Sequence, residues 1–438
     1  MKKIIIVAPH FPPSNLAAVH RTRLFAKHLP KFGWEPIVVT VHHDYYEEEL
    51  DWDLVELVPE DLRIERVSAL PTEPFRIVGN IGVRGFVPLL RRLLRLTKAE
   101  DIDFLYLPIP PHFAALLGPL VQKLRGVPYG IDYIDPWVQS SWHPDERLFN
   151  KHWFARKLAP LLEPLAVRDA SLITGVAEGY YEDVLERNPH LRTQAVTAAM
   201  PYGGETDDHR AVASLGAEPY LFRNDDRTFH LVYAGALLPK AMDPLDRVFH
   251  SIAEHRARFD DVCFHFIGTG TSPDDPKGYK VRPVAEQYGL WESVVREHPP
   301  RIPYVDALVH QEEADAVFVL GSTEPHYTPS KVYQGVLAEK PILAVLHEAS
   351  SACKVLRRTG AGRVLDFGGE ADVDAIREEF AEAFSEFCQF ADAFEAEQID
   401  VSAFNAYSAR SVTEELTDAL STALRGHDSQ NTDSESRN

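Results

Sequence analysis

The stretch from residue 314 to residue 346 reads ADAVFVL, then GSTEPHYTPSKVYQGVLAEK, then PILAVL. Its two outer runs are short, apolar and rich in β-branched or aromatic residues, which is typical of buried strands. The middle segment contains one short helix, with Val332, Val336 and Leu337 on its apolar face. Since parallel neighbours need a crossover connection, the stretch predicts a strand–helix–strand unit of a parallel sheet.

The same alternation runs through the chain in two series. The strand-like runs of the first series lie at 3–8, 35–41, 103–109, 128–135 and 170–177, and those of the second lie at 228–237, 262–271, 293–300, 314–320 and 340–346. Because these runs are continuous rather than alternating, helices are expected to cover both faces of each sheet. The pattern predicts an α/β protein with two Rossmann-like domains that face one another across a cleft.

The polar, irregular segment 200–227 separates the two series. Near the C-terminus, helical spacing is followed by a stretch without apolar side chains, which is typical of a helix packed on the body and then a disordered tail. The predicted organisation is an N-terminal domain over 1–205, a linker over 206–227, a C-terminal domain over 228–400, a helix over 401–425 and a tail over 426–438.

Composition narrows the class of protein. The chain has 438 residues, a net charge of −21 and three cysteines. Such an acidic balance argues against a protein that tracks nucleic-acid phosphates, and three scattered cysteines provide neither a disulfide framework nor the spacing of a zinc site. The first apolar run is too short for a signal peptide, and no run approaches the ~20 apolar residues of a bilayer span. We therefore expect a cytoplasmic protein.

The first turn of the helix in the opening stretch holds Ser330 and Lys331. Ser330 is expected to cap this helix. A lysine in the first turn is unfavourable to the helix dipole, so the local conflict indicates a bound anion that the helix end and the lysine attract together. The alternative is that Lys331 is an ordinary surface residue.

Polar residues that follow other predicted strands are further candidates, because open parallel sheets bind ligands at the carboxyl ends of their strands. Asp132 and Asp135 end one strand, and Trp137 follows them. A carboxylate there can accept hydrogen bonds from a ligand hydroxyl or act as a base, beside the flat face of the tryptophan. The alternative is a turn-forming Asp-Pro next to a core tryptophan. His112 opens the helix after another strand, and its alternative role is structural.

Two loops carry weaker signals. The loop after the first strand contains Ser14, Asn15 and Arg21 but no glycine, which excludes a P-loop or dinucleotide fingerprint. Its serine or asparagine either caps the next helix or helps to hold an anion. In the second series, Gly235 permits a close backbone approach and Lys240 lies within reach of an anion there.

Residues 83–100 form a basic amphipathic pattern in which leucines surround Arg91, Arg92 and Arg95. Such a helix is able to rest on an anionic membrane. The alternative is a helix packed on its own sheet with the arginines outward.

Taken in order, these motifs resemble GT-B glycosyltransferases of the family 4 type, which build bacterial surface polysaccharides. The opening FPPSNLAAVHRTRLFAKHLPKFGWEPIVVT (11–40) is similar to that family's FPP…R…LAKYLPKRGWEPVVLT, and GVPYGIDYIDPW (126–137) is similar to its GIPYVLDFRDPW. HLVYAGAL, FHFIGTGT and PSKVYQGVLAEKPILAV then follow in the family order. The resemblance extends to about residue 425.

The resemblance implies GT-B architecture, with a C-terminal helix that crosses back to the first domain. It implies a metal-independent hexosyltransferase that retains configuration and needs no cofactor, with a nucleotide-diphosphate sugar bound in the cleft, mainly by the second domain. Helix ends and basic side chains would stabilise the leaving diphosphate. The implied acceptor is a glycan or a lipid-linked glycan, so peripheral contact of 83–100 with the inner face of the membrane fits this function.

The predicted site has three groups of residues and no metal ligands. The catalytic candidates are Asp135, His112, Lys240 and Lys331. The donor-binding candidates are Thr328, Pro329, Ser330, Lys331, Gln334, Gly235, Gly268 and His326. The candidates on the acceptor side are Ser14, Asn15, Arg21 and Trp137.

Two features depart from the family's pattern. His326 and Gln334 stand where the family has two glutamates eight positions apart, the second of which holds the nucleotide ribose. Gln334 can still bond a ribose hydroxyl, but without charge. Ala236 stands where the family has an arginine. These losses keep two alternatives open: a catalytically inactive scaffold or partner protein, and a nucleotide-sugar epimerase of the same architecture.

Overall fold

The computed structural model describes residues 1–72, 79–138, 151–224, 227–270 and 278–435, with 151–155 and 428–435 described through their backbone alone. The chain forms two compact units. The first unit consists of 1–47, 58–201 and 409–438, and the second unit consists of 48–57 and 202–408.

The first unit contains strands β1 (Lys2–Val7), β2 (Trp34–Val41), β3 (Arg63–Val67), β4 (Phe104–Ile109), β5 (Tyr129–Tyr133), β6 (Leu172–Gly175) and β7 (Val196–Ala199). They form one parallel sheet in the order β3-β2-β1-β4-β5-β6-β7. The long pairing of β1 with β2 runs from Lys2 opposite Trp34 to Val7 opposite Val39. All residues of β4, β5 and β6 are buried, which explains why unbroken apolar runs form the strands of this sheet.

The second unit contains strands β8 (Phe229–Ala234), β9 (Val262–Ile267), β10 (Val295–His298), β11 (Ala316–Leu320), β12 (Ile342–His347) and β13 (Gly362–Phe367). They also form one parallel sheet, in the order β10-β9-β8-β11-β12-β13. The opening stretch of sequence therefore folds as predicted, since β11 and β12 are parallel neighbours joined by a helix.

The helices of the described chain are α1 (Ala17–His28), α2 (Asp53–Glu56), α3 (Ile81–Arg84), α4 (Phe86–Ala99), α5 (Leu117–Arg125), α6 (Lys151–Val167), α7 (Glu182–Arg187), α8 (Leu191–Gln194), α9 (Thr206–Leu215), α10 (Met242–Glu254), α11 (Arg282–Gln287), α12 (Tyr304–Glu313), α13 (Lys331–Leu337), α14 (Ser351–Thr359), α15 (Ala375–Asp392), α16 (Val401–Asn405) and α17 (Ala409–Glu435). Short 3₁₀ turns lie at Leu29–Phe32, His43–Tyr45, His112–Leu116, Glu178–Tyr180, Pro239–Ala241, Arg256–Arg258 and Ala396–Gln398. None of the helices in the described part of the chain combines the length and the apolar character that a bilayer span requires.

The helices of the first unit cover both faces of its sheet. The connections that contain α4, α5 and α6 advance in one direction along the strand order, whereas α1 joins β1 to β2 in the other direction. Because such crossovers are right-handed, α4, α5 and α6 lie on one face and α1 on the other. The C-terminal helix α17 packs against α1. Its residues Val412, Leu416 and Leu420 share a core cluster with Ile4 and Phe25.

In the second unit, one face of the sheet is covered mainly by α10 and α15, which pack against each other. Their core is rich in phenylalanine, and the Phe259 ring packs against those of Phe380 and Phe384, with centroids 6.2 Å and 4.5 Å away. Helices α13 and α14 belong to a separate core cluster with β11 and β12. Because helices cover the faces of the sheet, polar residues of this unit are expected at the ends of its strands.

The observed units differ from the predicted domains at several places. The N-terminal part of the first unit ends at 201 and not at 205, and residues 401–408 belong to the second unit although they were predicted within the helix 401–425 on the N-terminal domain. Residues 48–57 belong to the second unit, where the Asp51 carboxylate accepts a hydrogen bond from the Tyr304 backbone N–H at 2.6 Å. The expected linker 206–227 begins with α9, which the Glu205 side chain caps. Helix α17 continues to Glu435, into the expected tail, because extending an established helix costs little. Residues 436–438 of that tail lie outside the described residues.

Strands β3, β7 and β13 are absent from the predicted set. Each is the outermost strand at one edge of its sheet. Their residues are mostly half-buried or exposed, as in RIERV for β3, so they lack the continuous apolar run of a central strand. Edge strands tolerate charges that central strands exclude, which removes the sequence signal.

A buried ion pair joins α1 to the sheet of the first unit. The Arg21 guanidinium donates to both oxygens of Asp132, at 2.6 Å and 3.0 Å, and both side chains have no exposed surface. Thr174 donates to the same carboxylate at 2.7 Å, and Arg21 also donates to the Pro201 carbonyl at 2.7 Å. The charges are thus paired and hydrogen-bonded, as buried charges must be.

We predict that Asp132→Asn lowers the free energy of unfolding by about 3–5 kcal/mol, because the substitution removes the carboxylate charge that is hydrogen-bonded to the buried Arg21 guanidinium. The measurement is urea unfolding followed by tyrosine and tryptophan fluorescence. The control is Glu182→Gln, which breaks an exposed pair with Arg192 in the same unit and should cost less than about 1 kcal/mol. Equal costs for the two variants would contradict a structural role for the buried pair.

Candidate functional site

Four adjacent strands of the second unit end at one edge of its sheet, in the order β10, β9, β8, β11. The chain leaves β8 through Gly235, β9 through Gly268 and β10 through a turn that contains Arg301, and it leaves β11 through a loop that leads to Lys331. Backbone hydrogen bonds join these exits, since Gly235 N–H donates to the last residue of β9 and Gly268 N–H donates to the last residue of β10. The carboxyl edge of the sheet therefore brings four segments together.

Gly235 allows the Lys331 side chain to cross the end of β8. Its φ angle is +120°, and a Cβ atom at this position would lie 2.9 Å from Lys331 Cε and 3.3 Å from Lys331 Nζ. Both the left-handed backbone and the lack of space therefore require glycine. The structure thus brings together two residues that the sequence predicted separately.

The Lys331 ammonium group has an unusual environment. It lies over the ring of Tyr233, with Nζ 4.6 Å from the ring centroid, at a distance typical of a cation–π contact. Burial, and then the positive charge of Arg301, lower the pKa of Lys331 from its ordinary value to about 8. Within the described part of the chain, no carboxylate pairs with this group. The arrangement suits an anion that would supply the missing negative charge.

Arg301 is a site residue that sequence reasoning missed. Its Cα atom lies 3.7 Å from the position of a Cβ atom built on Gly268, whose φ angle is +70°. Burial lowers the pKa of Arg301, and the charge of Glu48 opposes this effect. The sequence feature that could have pointed to Arg301 is its position just beyond a predicted strand, directly after Pro299 and Pro300.

The loop after β9 is held in place by the buried carboxylate of Glu297. One oxygen accepts from the Thr269 hydroxyl at 2.5 Å and from the Lys280 N–H at 3.0 Å. The other oxygen accepts from the N–H groups of Val281 and Arg282 at 3.0 Å and 2.8 Å. Because all of these donors belong to the two ends of one loop, the glycine turn that begins with Gly268 is fixed relative to β10.

The start of α13 differs from its prediction in one respect. Ser330 already has helical backbone angles, φ −59° and ψ −22°, and its side chain makes no capping hydrogen bond, so the predicted N-cap is wrong. The Ser330 side chain is instead exposed, whereas Pro329 is buried. Thr328 is buried too, and its hydroxyl lies 2.8 Å from the Ser351 hydroxyl.

Lys240 lies on the 3₁₀ turn after β8. Its Nζ atom forms an ion pair with Glu324 at 3.4 Å, and its carbonyl accepts from the Thr323 N–H at 3.1 Å. These contacts join the loops after β8 and β11. The catalytic role of Lys240 stays a prediction. The charge of this lysine is already paired with Glu324.

Gln334 on α13 is part of a hydrogen-bonded chain of side chains. Its Oε1 atom lies 3.1 Å from His209 Nε2, and His209 Nδ1 lies 2.7 Å from a carboxylate oxygen of Glu312. The imidazole therefore links an anionic side chain on α12 to the amide where the resembled family has a glutamate. His209 was missed because it lies in the segment that was predicted to be a linker. His326, which stands where the resembled family has its other glutamate, is half-buried.

In the first unit, the carboxyl edge of the sheet carries Asp135, His112 and Trp137. Asp135 is exposed, and its backbone carbonyl lies 3.3 Å from His112 Nε2. Burial lowers the pKa of His112 to about 4, so its ring is neutral at physiological pH. Trp137 is mostly buried and stacks on His112 with ring centroids 5.8 Å apart, which favours the core alternative for this tryptophan.

The acceptor-side candidates in the first loop divide into two kinds. Arg21 is buried in the ion pair with Asp132, and the Ser14 side chain is also fully buried. Contact of these two residues with an acceptor is therefore not supported, because neither reaches the surface. Asn15 is half-buried, with its Oδ1 atom 2.8 Å from His20 Nε2, and remains a prediction.

Two groups of side chains in the described chain have the proximity that metal ligands require. His230 on β8 and Cys263 and His265 on β9 are buried, with their ligand atoms within 4.8 Å of one another. His42, His43 and Asp44 form the second group, nearer the surface. The two buried imidazoles are 2.9 Å apart as hydrogen-bond partners. Burial lowers the pKa of His265 to about 3. Neither group involves a predicted site residue.

Several solved structures are similar to this chain over nearly its whole length. A glycosyltransferase from Rickettsia africae matches with a TM-score of 0.61 and 12% identity over 97% of this chain and 98% of that chain. Anabaena HepE, solved with UDP and glucose, gives a TM-score of 0.64 and 14% identity over 96% and 100%. Sucrose-phosphate synthase from Thermosynechococcus elongatus gives 0.60 and 12% over 97% and 100%. Sequence comparison with curated proteins finds no match.

The two Rossmann-like units have the fold of the GT-B glycosyltransferases. Residues 17–202 match the model of the glycosyl transferase 4-like domain, so the resemblance predicted from the sequence is confirmed. At identities of 12–14% the similar structures define the fold alone.

We predict that Lys331 titrates near pH 8, because burial and Arg301 disfavour its charged form. Reductive methylation with ¹³C-formaldehyde followed by NMR should give one dimethyl-lysine resonance with this midpoint, absent from a Lys331→Arg variant. The folded group loses its proton near pH 8 and the unfolded group near 10.5. The unfolded chain thus binds more protons in this interval, and the contribution of Lys331 to stability rises with pH. A midpoint near 10.5 for every lysine would contradict the described environment.

Proposed function

We propose that the protein is a retaining glycosyltransferase. It transfers a sugar from a nucleotide-diphosphate sugar to a glycan or lipid-linked acceptor in the synthesis of surface polysaccharide or glycoconjugates. The observation that carries the proposal is the pair of cations, Lys331 and Arg301, at glycine turns on the carboxyl edge of the second sheet. Such an edge is where open α/β sheets bind nucleotides.

The two cations would act on the leaving nucleoside diphosphate. Lys331 and Arg301 are held in place before any ligand arrives, so they can stabilise the negative charge that develops on the diphosphate as the sugar departs. Gly235 and Gly268 permit the diphosphate to approach the backbone, and the exposed hydroxyl of Ser330 lies beside Lys331 in the chain. This arrangement supports a mechanism that needs no divalent ion and no cofactor.

Similar structures favour this substrate class. HepE of Anabaena was also solved with UDP-glucose, and a trehalose-6-phosphate protein of Escherichia coli was solved with UDP-2-fluoro glucose. The fold shared with those proteins supports a nucleotide-sugar donor for this chain.

We assign the sugar side of the reaction to the first unit. Asp135 is an exposed carboxylate at a strand end, able to accept a hydrogen bond from a sugar hydroxyl. His112 beside it is neutral, because its pKa is lowered to about 4, and a neutral imidazole can both donate and accept. We expect the protein to act in the cytoplasm, with residues 83–100 at the inner face of the membrane.

We predict that Lys331→Met weakens binding of the preferred donor by roughly tenfold to a hundredfold, the cost of one charge-assisted hydrogen bond of about 1.5–3 kcal/mol. The donor is chosen by thermal shift from UDP-, GDP- and TDP-sugars, since a bound ligand raises the melting temperature. Calorimetry then gives the affinities. Lys354→Met is the matched control, because it removes an exposed lysine from α14 in the same unit.

Three outcomes distinguish the alternatives. No binding of any donor at millimolar concentration would contradict the proposal. Donor binding without transfer, together with full activity of Asp135→Ala in a complementation assay, would favour the scaffold. Release of free nucleotide and an altered sugar without an acceptor would favour the epimerase. Retention is tested separately, by the anomeric configuration of the product in an NMR spectrum.

We predict that Gln334→Glu tightens donor binding severalfold and that Gln334→Ala weakens it. A carboxylate at this position gives a charge-assisted hydrogen bond to a ribose hydroxyl, which is about twice as strong as the neutral bond of an amide. Calorimetry with the donor and with its nucleoside diphosphate measures both variants. If Gln334→Glu and Gln334→Ala bind the donor equally, the side chain does not face the ribose.

A further inference from the structure

Three side chains of the kinds that bind metal ions share one face of the second sheet. His230 lies on β8, and Cys263 and His265 lie two positions apart on β9. The Cα atoms of His230 and Cys263 are partners across this parallel pair of strands. Because side chains alternate along a strand and paired residues point to the same side, all three lie on one face. Their ligand atoms are within 4.8 Å of one another.

The group lies in an apolar part of the core. None of the three residues is more than 4% exposed. The ring of Phe222 stacks on that of His265, with centroids 4.1 Å and planes 20° apart, and on that of His230, with centroids 5.1 Å apart. This phenylalanine belongs to an apolar cluster with Val232, Ile267 and Ala314. A ligand of the group would therefore be held away from water.

The imidazole of His265 is a buried polar group that the fold does not fully satisfy. Its Nε2 atom lies 2.9 Å from His230 Nδ1, whereas its Nδ1 atom has no hydrogen-bond partner among the described residues. An imidazole that served the fold alone would be expected to have both nitrogens bonded. Burial and the neighbouring His230 lower the pKa of His265, so its ring is neutral and has a lone pair for a metal ion.

The number of candidate ligands is three. His310 on α12 also lies near Phe222, but both of its nitrogens are engaged. Its Nδ1–H donates to the Asp306 carbonyl at 2.6 Å, and its Nε2 accepts from the backbone N–H groups of Tyr220 and Leu221. His310 thus holds the segment that carries Phe222 over the group. No further histidine, cysteine or carboxylate of the described residues joins the three.

Charge and ligand type decide which ion suits this group. Arg296 and neighbouring histidines disfavour a positive charge on His265. A divalent ion bound to one thiolate and two neutral imidazoles would leave a net positive charge in this apolar place, which is costly. A monovalent ion would leave none. Thiolate sulfur favours soft ions such as copper(I), whereas structural zinc almost always takes four ligands.

We propose that His230, Cys263 and His265 form a binding site for one copper(I) ion. The Cys263 thiolate and one nitrogen of each imidazole would hold the ion, and the thiol proton would leave as the ion binds. Two nitrogens that each lie roughly 2.0–2.1 Å from a shared metal ion are at most about 4 Å apart. The 2.9 Å between the two rings is compatible with this limit, and their hydrogen bond would give way to bonds to the ion.

The inference goes beyond the proposed function and does not rest on it. None of the three residues belongs to the candidate donor site, so the ion would bind whether or not a sugar is transferred. Bound there, it would join β8 to β9 through their side chains as well as through the backbone.

The test is anaerobic titration of the full chain with copper(I) in competition with bicinchoninate, whose coloured copper complex reports the ion that the protein leaves unbound. The wild-type chain should withdraw one equivalent of copper(I) from the competitor. X-ray absorption of the loaded chain should then show one sulfur and two nitrogen neighbours of copper.

Two variants remove one ligand each. Cys263→Ser should weaken copper(I) binding by at least about a hundredfold, because loss of a ligand costs more than the ~10–100-fold lost with a group that only supports one. His265→Gln should weaken it as well and remove one nitrogen neighbour. Circular dichroism shows whether each variant is folded, and the X-ray absorption of the wild-type chain is a readout that depends on no variant.

Matched controls remove the same kinds of side chain elsewhere. Cys388→Ser changes a half-buried thiol on α15 of the same unit. His42→Gln/His43→Gln removes the histidines of the other group of potential ligands, in the first unit. Both variants should bind copper(I) like wild type.

The choice of ion is tested separately. The wild-type chain is exposed to equal amounts of copper(I) and zinc without oxygen, desalted and analysed for both metals. It should retain copper, because only the monovalent ion leaves the buried group without net charge.

Three results would overturn the proposal. The first is a wild-type chain that takes no copper(I) from bicinchoninate, which would make the three side chains a polar cluster of the core and nothing more. The second is an equal loss of binding in His42→Gln/His43→Gln, which would place the bound ion in the first unit. The third is retention of zinc in place of copper, which would contradict the assignment to a soft monovalent ion.

Discussion

Every strand pair in the described part of the chain is parallel, and this constraint determines where the polar chemistry lies. A parallel strand must be followed by a crossover, so each connection begins at the same edge of its sheet. Residues that are far apart in the sequence then meet there, as Gly235 and Lys331 do in the second unit. The interiors of the sheets are left to apolar side chains, apart from paired groups such as Arg21 and Asp132.

The central strands and the two-unit organisation could be predicted, because strands buried on both faces need unbroken apolar runs. The edge strands could not, since a sequence such as RIERV, with one side in solvent, resembles a loop. Lys331 was recognisable because a lysine at a helix start breaks a local rule. Arg301 breaks no such rule, and only its position in space, beside Gly268 and near Lys331, makes it a candidate site residue. The pairing of Arg21 with Asp132 could not be predicted from the sequence either, because the two residues are 111 positions apart in the chain.

In the candidate donor site, one loop is fixed by hydrogen bonds within the fold, whereas another position differs from the resembled family. Glu297 fixes the glycine turn after β9 through four hydrogen bonds, so this part of the site is formed by the fold itself. At Gln334, in contrast, an amide stands where the resembled family has a carboxylate, and its Oε1 atom accepts from His209, whose other ring nitrogen lies against the Glu312 carboxylate. Two side chains, His209 and Gln334, therefore lie between the Glu312 charge and any ligand that Gln334 would contact.

The low pKa of Lys331 makes the site sensitive to the acidity of its surroundings. Above pH 8 the lysine is mostly neutral, so any anion that needs its charge must bind together with a proton. Affinity should then fall by up to about tenfold for each further pH unit. A diphosphate leaving the site would release that proton again. The contact of Lys331 with Gly235 would thus couple the occupancy of the proposed donor site to the proton concentration around it.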